Sequence, residues 1–193
     1  MPTELNDQYL VYQISALHKR EAFDILYLRY ATAIKKFVYL RVLNEEDAND
    51  LTADVFWNTW QYLTGKKVKD IQNIRAFLYK VARNVVAGFY RVKGKMPPMV
   101  ELDKPGQYGD FPEVADIRED ILGKQIRTQD VDYLIACVQK LQEPYREIIA
   151  LRFFEELGID EIAEIVEKTP GNIRVLIHRG SQALRNIMNT TII

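Results

Sequence analysis

From Gly94 to about Gln125 the helical spacing of apolar residues that runs through the rest of the chain stops, and Pro97, Pro98, Pro105, Gly106, Gly109 and Pro112 stand among acids. Proline removes a backbone donor, and prolines and glycines at this density suit neither helix nor strand. Glu101, Asp103, Asp110, Glu113, Asp116, Glu119 and Asp120 outnumber the basic residues there, which predicts a solvated, extended segment. A chain interrupted in this way builds two small cores rather than one. The predicted organisation is a domain at 1–95, a linker at 96–127 and a second domain at 128–193.

Both flanking parts read as helical. Between Ala22 and Val38 apolar residues fall at Phe23, Leu26, Tyr27, Tyr30, Ile34, Phe37 and Val38, the period of a helix with one buried face. Asn44 can cap a second helix whose first turn carries Glu45, Glu46 and Asp47, acids that suit the positive end of a helix dipole, and this helix should run to about Leu63. Asn73 can cap a third, with the apolar stripe Ile74, Phe77, Leu78, Val81, Val85 and Phe89. Three helices therefore make the first domain. In the second, periodicity returns at Val131, Leu134, Ile135, Val138 and Leu141, a helix opens at Pro144, and two short helices follow. No segment reads as a strand, and the fold class is all-α.

Bulk properties narrow the function. A chain of 193 residues, 48% of them hydrophobic, can form two small cores, but a formal net charge of −1 argues against a protein that coats nucleic acid unaided. Any DNA contact must be local or assisted. Cys137 is the single cysteine, which excludes an intrachain disulfide and a cysteine-based metal site, and its apolar neighbours suggest a small core residue in a reducing cytoplasm. Glu4 and Asp7 occupy the place where a secretion signal needs a basic and then an apolar stretch, and no apolar run approaches membrane-spanning length. His18 and His178 lie far apart, no glycine-rich phosphate loop is present and no nucleophile has an evident base, so an enzyme is disfavoured and no cofactor, metal or small-molecule substrate is expected.

The sharpest local pattern is the amphipathic stretch Gly158 to Val166, followed by Glu167 and Lys168 and then Thr169-Pro170-Gly171-Asn172-Ile173-Arg174. Thr169 can cap a second helix and Pro170 can open it, so a tight turn joins two short helices over Ile162, Ala163, Ile165, Val166, Ile173 and Ile177. This is a helix-turn-helix pattern. Its second helix would present Asn172, Arg174, Val175, His178 and Arg179 to a major groove, where arginine pairs with guanine and apolar groups meet the thymine methyl. An ordinary helical hairpin in a bundle core would use the same residues.

Two further patterns lie in the first domain. Lys80, Arg83, Asn84 and Arg91, with Tyr79 and Tyr90 beside them, combine cations that track phosphates with rings that stack on unpaired bases, although charged helix faces are commonly just solvated. Glu45, Glu46, Asp47, Asp50 and Asp54 share a helix with Val55, Phe56, Trp57 and Trp60, a surface that could dock a basic partner with a tryptophan as anchor. Capping acids and core aromatics would explain the same residues, and Phe56 and Trp60 continue the apolar stripe.

In this order and spacing the segments resemble the extracytoplasmic-function (ECF) group of the sigma-70 family of RNA polymerase sigma factors. The stretch from Asp47 to Phe56 followed by Trp60 is similar to region two, which implies that Asp47, Asp50, Leu51 and Asp54 dock the clamp helices of core RNA polymerase. Phe77 to Asn84, ending in Tyr90 and Arg91, resembles the segment that melts and reads the minus-ten element, which implies that role for Lys80, Arg83, Asn84, Tyr90 and Arg91. Arg146, Glu147, Leu151, Arg152 and the helix-turn-helix resemble region four, which implies contacts to the minus-thirty-five element of promoter DNA from Asn172, Arg174, Val175, His178 and Arg179. The resemblance further implies a three-helix first domain, a four-helix second domain, a linker that threads toward the active-site and RNA-exit channel, an anti-sigma factor as partner, and action in the cytoplasm. The chain departs from the family pattern at Ala53, where glutamine is common, at Gly88, where aspartate usually follows the Ala-Arg-Asn triplet, at the turn residue Glu167, and at Leu176 and Ser181, which are often basic. A stand-alone helix-turn-helix regulator and a decayed sigma-like scaffold remain as alternatives.

Overall fold

The computed structural model describes residues 6–65, 71–94 and 128–190, with 128–132 as backbone alone. The linker expected at 96–127 lies outside the described residues. Two compact units divide the chain, residues 1–92 and 93–193. Every regular element among the described residues is helical.

The first unit contains α1 (Asp7–Leu17), α2 (Arg20–Val42), α3 (Glu45–Leu63) and α4 (Ile74–Val92). Asn44 accepts from the Asp47 backbone N–H at 2.9 Å and Asn73 from that of Ala76 at 3.0 Å, so the two expected caps satisfy donors that a helix start leaves unpaired. Two-residue connections join α1 to α2 and α2 to α3, short enough to make each pair antiparallel neighbours. Leu10, Ile14, Leu26, Ile34, Phe37, Val55, Leu63, Leu78 and Ala82 are fully buried between the helices. Each large aliphatic or aromatic side chain so buried contributes about 1.5–3 kcal/mol against solvent exposure.

Among the described residues four helices, not three, build this unit. The additional α1 buries Leu10, Val11 and Ile14, which stand at helical spacing, and a long-range contact adds to this docking: the Asp7 carboxylate accepts from both the Arg29 guanidinium and the Tyr30 hydroxyl. Burial, reinforced by the Asp7 charge, pushes the Tyr30 pKa up, so the phenol stays a donor. The stripe on α4 is also rotated from the expected one. Ile74, Leu78, Tyr79, Ala82 and Val86 are buried, whereas Phe77, Val81, Val85 and Phe89 are half-buried.

The second unit contains α5 (Thr128–Gln139), α6 (Tyr145–Ile149), which continues as a π-helical turn through Ala150–Phe154, then α7 (Ile159–Val166) and α8 (Pro170–Thr190). The Arg146 side chain donates to the Leu141 carbonyl from Nε and Nη2, at 3.0 and 2.7 Å, and Arg152 Nη1 donates to that of Leu157 at 3.1 Å. These two arginines satisfy loop carbonyls at the two ends of the segment that leads into α7. Cys137 is buried, as expected of a small core residue, beside a core that includes Val138, Leu141, Ile149, Leu151, Ile162, Ile173, Leu176 and Leu184.

Candidate functional site

The turn between α7 and α8 forms as its residues predict. Glu161 accepts from the Gly158 backbone N–H at 3.0 Å at the start of α7, and Thr169 Oγ1 accepts from the Asn172 N–H at 3.3 Å at the start of α8. Between them Glu167 adopts the left-handed conformation, φ 56° and ψ 46°, and its N–H closes on the Ala163 carbonyl. A β-carbon disfavours that conformation by about 1–2 kcal/mol, which the turn absorbs in place of a glycine.

Around α8 the expected reading residues separate. Arg174 is exposed and His178 half-exposed, and with exposed Gln182 and Arg185 they recur at i, i+4, i+8 and i+11 along one face. Arg179 lies five positions from Arg174, about 140° around the axis, and Asn172 falls on that other side with it. Val175 is only 6% exposed and Leu176 fully buried, so Val175 packs in the interior instead of offering an apolar contact to a base. Gln182 and Arg185 carry this face beyond the early turns of the helix, and their i+8 and i+11 spacing from Arg174 is the sequence signal for them.

On α4, Lys80, Asn84, Ala87 and Arg91 recur at i, i+4, i+7 and i+11, and of these Asn84, Ala87 and Arg91 are exposed. Arg83 flanks that face. Tyr79 is not presented for stacking, being 1% exposed and edge-on to Phe37 at 5.3 Å, whereas Tyr90 is half-buried and its hydroxyl donates to the Arg41 carbonyl at the end of α2.

On α3, Asp50, Ala53, Asp54 and Trp57 occupy one exposed face, with Asp47 half-buried before them and Leu51 turned into the core at 8% exposure. The face borders a groove of about 690 Å³ between α2 and α3, lined by Arg20, Phe23, Asp24, Tyr27, Ala53, Phe56, Trp57 and Trp60. Its aromatic wall is built from edge-on contacts, Phe23 to Trp60 at 5.1 Å and Tyr27 to Phe56 at 4.8 Å. Trp57 is 57% exposed, the largest side chain left open at the surface of this unit. Acids and apolar groove therefore form one continuous surface, a juxtaposition that the spacing of α3 suggests but that needs Phe23 and Tyr27 from α2. No group of metal-ligating side chains occurs among the described residues.

The family model described as Sigma-70, region 4 matches residues 132–184, which hold most of α5 and run through α6 and α7 into α8. Over 187 residues, 95% of this chain and 94% of the relative, the chain is 26% identical to the RNA polymerase sigma-H factor of Pseudomonas aeruginosa. It is 24% identical over 191 residues to the ECF RNA polymerase sigma-E factor of Escherichia coli, with 96% of each chain covered. The match to region 4 is thus confined to the second unit, while similarity to RNA polymerase sigma factors, one of them of the ECF group, extends over nearly the whole chain. The chain shares its fold with the sigma factor RpoE of Bartonella quintana, solved in complex with the anti-sigma factor NepR, at a TM-score of 0.61 and 18% identity over 88% of this chain and 98% of that one. Among the described residues, no helix is long and apolar enough to cross a membrane.

Proposed function

We propose that the chain is a promoter-specificity subunit that binds core RNA polymerase through its first unit and promoter DNA through both. The observation that carries this reading is the region-four match falling on a closed helix-turn-helix whose α8 keeps one basic, open face. Arg174 and His178 read the upstream promoter element in the major groove, and Arg185 reaches the phosphates farther along the same face. Asn84 and Arg91, flanked by Lys80 and Arg83, meet the strand exposed by melting at the minus-ten element. Asp50 and Asp54 steer a basic polymerase surface onto α3, and Trp57 anchors it over the aromatic groove.

The low net charge fits this division of labour. Polymerase holds both DNA-binding surfaces near the template, so each needs only modest affinity of its own. A stand-alone regulator would need more basic groups near the groove than α8 carries. The protein acts by binding, without covalent chemistry of its own, in the cytoplasm where polymerase works, and an anti-sigma factor that covers its polymerase-binding surface would hold it inactive. Run-off transcription with purified core polymerase on a library of random upstream sequences tests the reading. Transcripts from a defined subset of templates are expected; their absence, with core polymerase bound, would leave only a scaffold.

A further inference from the structure

The last turn of α4 is weakly held by its own sequence. Beyond Val86 no residue of this helix is fully buried, Gly88 has open space where a β-carbon would stand, and Val92 is 89% exposed. A helical glycine costs about 1 kcal/mol relative to alanine, so this turn should fray, yet it carries Arg91. A long-range contact ties it down: the Tyr90 hydroxyl donates across 49 residues of sequence to the Arg41 carbonyl, one of the carbonyls a helix end leaves unpaired. The Arg41 end is itself well anchored: Arg41 is 8% exposed with its guanidinium over the Phe37 ring at 5.6 Å, and Phe37 packs on Tyr79.

We infer that Tyr90 is a positioning residue, whose hydroxyl fixes the terminal turn of α4 to α2 and thereby holds Arg91 in place for the melted strand. It does not stack on a base. Resting on the proposed role of α4, this assigns to a phenol oxygen what the composition of the segment assigns to an aromatic ring.

The test uses the full chain bound to core polymerase and, as probe, labelled single-stranded DNA carrying the downstream element of a promoter that this holoenzyme selects from a random duplex library. Tyr90→Phe keeps the ring and removes the hydroxyl. It is expected to weaken single-strand binding about fivefold, with polymerase affinity unchanged within about twofold. In an Arg91→Ala background the same change should add less than about twofold, because the group it positions is already gone. Gly88→Ala enters open space, stiffens the turn and should recover at least half of the Tyr90→Phe loss. Wild-type binding by Tyr90→Phe with a loss in Tyr90→Leu would mean that the ring meets DNA and would overturn the inference. So would full additivity with Arg91→Ala, no recovery from Gly88→Ala, or an equal loss of polymerase affinity. If Arg91→Ala alone leaves single-strand binding intact, the role of α4 fails as well; if only Tyr90→Phe is silent, the positioning role fails by itself.

Discussion

Gly180 lies so close to Ile149 that a β-carbon on it would meet Cγ1 at 3.1 Å and Cδ1 at 3.3 Å, with Tyr145 Cβ at 3.4 Å behind. This contact lets α8 approach α6 backbone to side chain in mid-helix, where glycine is otherwise unfavourable. Gly180→Val should therefore cost about 1–3 kcal/mol of stability through overpacking. Urea unfolding of the full chain measures it, and a variant as stable as wild type would mean that the two helices part without cost.

Glu167 holds a left-handed conformation that glycine adopts without a steric penalty. Glu167→Gly is expected to raise stability by about 0.5–1 kcal/mol while leaving site preference on duplex DNA unchanged, whereas a β-branched residue there, as in Glu167→Val, should lower it. Equal stabilities for glycine and valine would show that the turn carries no strain.

Asp50 and Asp54 project from α3 into solvent beside the aromatic groove. Asp50→Arg and Asp54→Arg should each weaken core polymerase binding about tenfold, or ~1.4 kcal/mol, by turning attraction into repulsion, with unfolding midpoints unchanged. The loss should shrink as salt is raised. Titration of labelled protein with core polymerase at two ionic strengths checks both statements.

Arg174 and Val175 are neighbours in sequence with opposite fates, one exposed and the other 6% exposed. Arg174→Ala should remove about 1–3 kcal/mol of discrimination at one base pair. Val175→Ala should leave sequence preference intact and cost about 0.5–2 kcal/mol of stability instead. Selection from a duplex library with each holoenzyme, alongside denaturant unfolding, separates the two; a changed preference in the valine variant would return Val175 to the DNA.

What the sequence determined by itself is local. Asn44, Asn73 and Thr169 start helices because their side chains satisfy backbone donors within a few residues of chain. Tertiary structure decided the faces. Periodicity states that a helix has an apolar stripe without saying which of its flanks a neighbour covers, so α4 buries Ala82 and Val86 where Val81 and Val85 read equally well, and Val175 turns inward although it borders the reading residues. It also decided that Trp57 stays open beside a groove completed by Phe23 and Tyr27 from another helix. The Asp7 contacts to Arg29 and Tyr30, and that of Tyr90 to the Arg41 carbonyl, join groups far apart in sequence. A hydroxyl or carboxylate carries no mark of its distant partner until packing of the helices brings the two within hydrogen-bonding distance.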